Sequence, residues 1–157
     1  MGRAQSSLEY LLMIAMVLVI VAVVISVASR HVKVAENLAG EGVVIAYVEY
    51  NPPGDDVSGE YVLIKNEGLI DVDMSGWQLK DEQNHVFTFP NGFILKAGAS
   101  VKVHTGSGED TDTNLYWGRG QAVWNNGGDT AYLYDSNGNL VDSCSWTGDE
   151  GGAVSCH

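Results

Sequence analysis

Tyr10 to Ser29 reads YLLMIAMVLVIVAVVISVAS, twenty consecutive uncharged residues lying directly behind MGRAQSSLE at the start of the chain. At about 1.5 Å of rise per residue, a helix of this length spans roughly the 30 Å hydrocarbon core of a bilayer. The apolar core of a secretory signal peptide is shorter, about 7 to 15 residues. The run is therefore expected to be a retained membrane anchor. The remainder of the 157 residues is polar and glycine-rich, as expected of a folded part outside the bilayer.

Glu9 is the charge embedded beside this run. Carrying a carboxylate to the bilayer centre costs up to roughly 3 kcal/mol, so an acid at the edge of a membrane helix is expected to face a partner rather than lipid. The competing account is an acid in the first helical turn, with Ser6 or Ser7 as the N-cap and the negative charge matched to the helix dipole.

Around Glu9 the residues run Gly2-Arg3-Ala4, then Gln5-Ser6-Ser7-Leu8-Glu9-Tyr10-Leu11-Leu12. This start resembles that of archaeal type IV pilin-like proteins with a class III signal peptide: a short basic leader, a small residue, then Q-x-S-x-E, an aromatic and an apolar run. The resemblance implies a leader of residues 1–4, cut by a prepilin peptidase between Ala4 and Gln5. Glu9 is then the fifth residue of the mature chain, and in the filament its carboxylate pairs with the free α-amino group, that of Gln5, on an adjacent subunit. Such a pair, buried among apolar helices, penalises wrong register. Many relatives have Gly where Ala4 stands, but cutting after Gly2 would make Glu9 the seventh residue, so Ala4 is the better site. Arg3 lies before the run and Arg30 and Lys33 after it, so charge alone does not orient the span. The resemblance implies a cytoplasmic leader and an external C-terminal part.

Beyond Arg30 the stretch HVKVAENLAGEG places Val32, Val34, Ala35 and Leu38 loosely on one helical side, and Gly40 and Gly42 are expected to stop the helix. Residues 5–38 are the expected assembly helix, and 39–42 a hinge. From Ser6 to Leu38 the rod measures roughly 50 Å. An unstructured stalk after the span is the alternative.

From Val43 the period changes. Val43 to Tyr50 (VVIAYVEY) is β-branched and aromatic, and Asn51-Pro52-Pro53-Gly54-Asp55 is a turn cluster. Further short runs are Tyr61 to Lys65, Trp77 to Lys80, Val86 to Phe89, Ser100 to His104, Thr130 to Tyr134 and Leu140 to Ser145, separated by Gly, Asn or Asp. Seven short strands suit an immunoglobulin-like sandwich. Alternation over Ser100 to His104 turns Val101 and Val103 inward. Asn137-Gly138 predicts a type I′ hairpin, in which both central residues need positive φ. The fold class expected is thus α+β, a long N-terminal hydrophobic helix followed by an all-β sandwich.

Glu60-Tyr61-Val62-Leu63-Ile64-Lys65-Asn66 and Val72-Asp73-Met74-Ser75-Gly76-Trp77-Gln78-Leu79-Lys80-Asp81 carry a second resemblance, together with Phe87 to Gly98 and the segments Trp124 to Thr130 and Asp135 to Asp142. These blocks, in this order, resemble the lamin-tail domain, an immunoglobulin-like sandwich found in nuclear lamins and in prokaryotic surface and secreted proteins. The resemblance covers residues 43–147 and implies that Trp77 is a core residue rather than a ligand-stacking platform. It does not by itself supply a function.

Val43 to the end holds 17 of the 20 acids and 5 of the 8 bases, so the whole net charge of −12 lies there. A nucleic-acid surface needs the opposite sign, and no nucleic acid is expected as a partner. Asp110, Asp112 and Asn114, and again Asp135, Asn137 and Asn139, have the spacing of an EF-hand loop start. Leu115 and Leu140 stand where that loop needs Gly, so both read as solvated turns, and no metal or other cofactor is expected. Cys144 and Cys156 are expected to form a disulfide in an external domain, tethering the tail 148–157, with free thiols as the alternative. With His157 they make at most three nearby ligands where a structural zinc site needs four. Cys156-His157 is not a haem motif, because Ala153 stands where C-x-x-C-H has its first cysteine. His31, His85, His104 and His157 belong to no catalytic motif, no enzyme is expected, and N-x-S/T sequons are absent.

The expectation is a surface-filament subunit of the type IV pilus kind. Its partners would be copies of itself, the prepilin peptidase, the assembly machinery and, before assembly, the cytoplasmic membrane. A monomeric membrane-anchored binding module or tip adhesin is the alternative. The Ala4-Gln5 junction predicts that mature protein begins at Gln5; intact-mass measurement of surface material checks this, and a chain still carrying Met1 contradicts it.

Overall fold

A computed structural model describes the backbone of residues 2–40 and 42–157, and the side chains of 6–30 and 42–157. Two compact units result, Met1–Leu38 and Ala39–His157. The side chains of Ala4 and Gln5, and Glu41 of the expected hinge, lie outside the described residues.

The first unit is one helix, α1 (Gly2–Gly40), 39 residues long. At 1.5 Å per residue it measures roughly 58 Å. Its stretch Ser6–Arg30 is long and apolar enough to cross a membrane. One local expectation is corrected: Ser6 and Ser7 lie inside the helix rather than at its N-cap, so Glu9 is not in the first turn, which holds no acid. The helix ends at Gly40, one of the two glycines expected to stop it, taking in Ala39 as its last residue before that. Ser29 is satisfied within the helix, its hydroxyl donating to the Ile25 carbonyl at 2.8 Å. This is the internal pairing that an environment without water demands.

The second unit is built from β1 (Val43–Glu49), α2 (Asp56–Gly59), β2 (Tyr61–Asn66), β3 (Val72–Asp73), β4 (Gln78–Lys80), β5 (Val86–Thr88), β6 (Ile94–Leu95), β7 (Ser100–His104), β8 (Asn114–Tyr116), β9 (Asp129–Tyr134), β10 (Leu140–Trp146) and β11 (Ala153–Ser155). One sheet has the order β11-β1-β2-β7-β8, a second β10-β9-β4-β5, and β3 pairs with β6 alone. The α+β organisation is the one expected, and the seven expected runs are all strands. Four more strands appear among the described residues. Two of them are two-residue bridges; β8 joins β7 in parallel and β11 joins β1 antiparallel. The tail therefore completes the main sheet rather than merely being tied to it.

Alternation explains the core. Val62 and Ile64 of β2, Val101 and Val103 of β7 and Leu115 of β8 are buried while their strand neighbours are more exposed, and Ala131 and Leu133 of β9 are buried as well. Trp77 is buried as expected, at 5% exposure. A chain of aromatic rings crosses the interior: Tyr50 stacks on Trp146 at 5.1 Å, Trp146 meets Trp124 at 6.0 Å, and Trp124 meets Trp117 at 6.0 Å. The two sheets are joined along one seam, where β10 faces β1 and β11. There Asp142 accepts the Ile45 backbone N–H at 2.7 Å and a contact from His157 at 3.0 Å, and Cys144 is bonded to Cys156.

Buried polar side chains hold the loops. Asn66 donates to the carbonyls of Ile70 and Leu95 and accepts the Gly68 N–H, so one carboxamide shapes the turn after β2. Asp129 accepts from the backbone N–H groups of Glu82, Thr130 and Asn125. Glu60, fully buried, accepts the Val123 N–H at 3.0 Å; burial pushes its carboxyl above the ordinary value, against the opposing pull of that hydrogen bond.

The β9–β10 connection corrects the hairpin expectation. Gly138 has φ +82, but Asn137 is not among the positive-φ residues, so the turn is not type I′. Instead Gly138 N–H donates to the Asp135 carbonyl and Asp135 N–H to the Asn139 carbonyl, closing a five-residue loop around a type I turn. The Asp135 carboxylate accepts from the N–H groups of Asn137 and Asn139, and this local side-chain alternative wins over the two-residue turn.

The disulfide closes a short loop, with a sequence separation of 12, across the seam. Replacing both cysteines by serine is expected to lower stability by about 3 kcal/mol. Urea unfolding of the wild-type and doubly substituted chains measures this, and an unchanged midpoint contradicts it.

Candidate functional site: an aromatic row on the outer sheet face

Strand parity decides which side chains the five-stranded sheet turns away from the core. With Val62 inward, Tyr61 points out; with Val103 inward, His104 points out; with Leu115 inward, so does Tyr116. On β1 simple alternation would send Tyr47 inward after Val43 and Ile45. A bulge between Ile45 and Tyr47 inserts Ala46 into the register, turning Val48 inward and Tyr47 outward. Bulges re-aim side chains in this way.

Cross-strand pairing then lines these residues up. Tyr61 lies opposite His104, and His104 beside Tyr116. The ring centroids are 5.8 Å apart from Tyr47 to Tyr61, 5.8 Å from Tyr61 to His104, and 4.8 Å from His104 to Tyr116. The result is one continuous aromatic row across four adjacent strands. All four side chains are half-buried.

Polar groups line the row. The Tyr47 hydroxyl donates to Glu49 Oε2 at 2.8 Å. The Lys102 ammonium sits 4.2 Å above the Tyr61 ring, in cation–π contact. His104 Nε2 is 2.9 Å from Asn114 Oδ1, an oxygen that only accepts, so Nε2 carries the proton. At the far end Gly108 lies against the Tyr116 ring, where a Cβ would overlap the ring carbons. Any larger residue at 108 would push Tyr116 out of line. Burial, then the bond to Glu49 and its charge, push the Tyr47 phenol up to about 12; burial also raises Tyr61.

An arrangement of this kind is a cross-strand ladder of rings in contact with one another, His104 stacked on Tyr116 and Lys102 over Tyr61, with a carboxylate, an ammonium and an amide at its margins. It holds no acid–base pair around a common cleft. Among the described residues no group of three or more His, Cys, Asp or Glu side chains is placed to hold a metal ion. The two EF-hand-like spacings are used internally. Asp110 accepts the Tyr116 N–H at 2.9 Å, Asn114 opens β8, and Asp135 caps its own loop.

The residues singled out from sequence lie elsewhere. Glu9 is exposed on α1, Ala4 and Gln5 belong to the helical backbone, and Cys144 and Cys156 form the seam disulfide. None belongs to the aromatic row, which sequence reasoning missed. The parity of Tyr61 and His104 against Val62 and Val103 was the available signal.

The neutral Tyr47 phenol is favoured in the fold, so its contribution is present below an unfolded value near 10 and is lost as pH rises toward 12. In an ultraviolet titration Tyr47 should ionise well above the ordinary tyrosine range, toward pH 12. Glu49→Gln, which keeps an acceptor but removes the charge, should bring that step to lower pH; an unmoved step contradicts the assignment.

Residues 37–148 match the family model described as Lamin Tail Domain, a span that takes in every strand from β1 to β10. With most of its length in that match and a sandwich built as the match requires, the chain belongs to the Lamin Tail Domain family.

Proposed function

We propose that this protein is a structural subunit of a type IV pilus-like surface filament, with a non-catalytic role, polymerising through α1 and displaying the sandwich outside the cell. The observation that carries the reading is the state of the helix. Every residue from Ser6 to Arg30 is exposed, so nothing in the described chain covers the apolar run. A helix apolar on all sides is stable only in lipid or among other apolar helices. The Gln5 to Leu12 motif favours the second destination after processing, with lipid as the first.

The sandwich supports this division of labour because it buries its own core as a separate compact unit. The aromatic row supports a second reading, a membrane-anchored binding module, in which the same anchor stays in lipid and the outer sheet face does the work.

Glu9→Gln separates the two. If Glu9 neutralises the amino terminus of an adjacent subunit, the variant leaves an amino group without its counter-ion among apolar helices, at a cost of about 3 to 5 kcal/mol per subunit. Membrane insertion is not impaired, since removing a charge lowers the transfer cost. The expected outcome is normal amounts of membrane-bound protein with few or no filaments by electron microscopy. Filaments at the wild-type level would leave the anchored module as the better reading.

A further inference from the structure

We propose that the corner of the sandwich where β2 begins binds an internal water molecule, held between the Glu60 carboxyl and the Thr105 hydroxyl and locking the loop 117–124 to the five-stranded sheet.

Hydrogen bonds bring three segments together at this corner. Thr105, which follows β7, donates its N–H to the Glu60 carbonyl at 3.1 Å, and Arg119 donates its own to the Thr105 carbonyl at 3.0 Å. The Val123 N–H donates to Glu60 Oε2 at 3.0 Å. Both ends of the loop are therefore fixed around Glu60 and Thr105. α2 closes the same corner from another side, since a Cβ on Gly106 would meet the Val57 carbonyl oxygen at 2.8 Å. Glu60 and Thr105 are both 0% exposed, so bulk water does not reach them.

Within this closed corner the chain does not serve every polar group. Among the described residues four buried side-chain atoms make no hydrogen bond: Glu60 Oε1, Thr105 Oγ1, Arg119 Nε and Trp124 Nε1. All four belong to the segments just joined. A buried polar atom is nearly always paired with protein or with ordered water, because leaving it unpaired forfeits its hydration. Burial pushes the Glu60 carboxyl up, and the Thr105 hydroxyl is among the groups that pull it back, so the two are neighbours although no direct bond joins Oε1 to Oγ1. Neighbouring polar atoms that do not bond each other are what a bridging water joins.

The chemistry of the corner selects water over other ligands. Glu60 Oε1 accepts, Thr105 Oγ1 both donates and accepts, and the loop adds the N–H donors of Arg119 and Trp124. Water matches this mixture, donating to the carboxyl and accepting from the hydroxyl. An anion would meet the Glu60 carboxyl and Asp56, whose charge also pushes Glu60 up. A metal ion needs several acidic, imidazole or thiolate ligands, and among the described residues no group of three is placed to supply them. An apolar ligand would leave both oxygens unserved.

The test compares variants of the full chain in the same detergent micelles by magnetic relaxation dispersion of the water oxygen, which registers only water held far longer than surface water. Thr105→Val keeps the shape of the side chain and removes its hydroxyl. It should lose the signal of one long-lived water, and exchange of the Val123 amide should quicken about tenfold as the loop loosens. Thr105→Ser, which retains the hydroxyl, should keep both at wild-type values. An unchanged dispersion in Thr105→Val overturns the proposal. So does a signal that disappears when sodium is replaced by choline, which marks a cation. If Thr105→Val fails to fold, a crystal structure of the wild-type chain decides. Water density within hydrogen-bond reach of both Glu60 Oε1 and Thr105 Oγ1 supports the site, and a direct bond between those two atoms overturns it.

Discussion

The apolar run of α1 cannot remain in water, and this constraint organises everything else about the protein. Burying a large aliphatic side chain is worth about 1.5 to 3 kcal/mol, so leaving the run uncovered forfeits on the order of 30 kcal/mol. That exceeds the entire stability of a typical domain, about 5 to 15 kcal/mol. No packing rearrangement inside the sandwich can offset it. The helix must be taken up by lipid or by other helices, and its internally bonded Ser29 is suited to either.

The remaining chain is a compact unit of its own, with a core of alternating strand residues and a connected series of aromatic rings. Its vulnerable places are the long connections between short strands. Three of them are tied by a buried polar side chain: Asn66 after β2, Asp129 between the loops before β9, and Glu60 beneath the loop leading to Trp124. Such groups are costly to bury unless paired, so they also reject alternative loop arrangements. Their presence explains why a domain made of strands as short as two or three residues has a defined architecture.

The seam and the outer face show two uses of the same sheet. On one edge, β1 is closed by β11, the disulfide and Asp142, which leaves few open backbone groups there for unwanted pairing. On its outer face the sheet gathers aromatic rings that the core does not need. Lys65 and Lys102, two of the five bases of the sandwich, also point outward from this sheet, so its charge is locally balanced in an otherwise acidic domain.

Local pattern alone determined the helix and the seven principal strands, because hydrophobic period is a property of neighbouring residues, and the lamin-tail resemblance implied the burial of Trp77. The expected external setting of the chain's two cysteines, Cys144 and Cys156, made their pairing readable, and Glu60 and Asn66 stood in the motif that suggested the family. Tertiary structure decided the rest. β8 was unreadable in its Asp- and Thr-rich surroundings because it forms only where β7 offers a parallel partner. β11 exists because β1 has a free edge for the tail to join. The bulge at Ala46 reverses the parity on which sequence reading depends, so Tyr47 faces out where alternation sends it in. The aromatic row needs all of these at once, the bulge and the order β1-β2-β7-β8, and strand order is set by contacts between residues far apart in the chain, which no local period encodes.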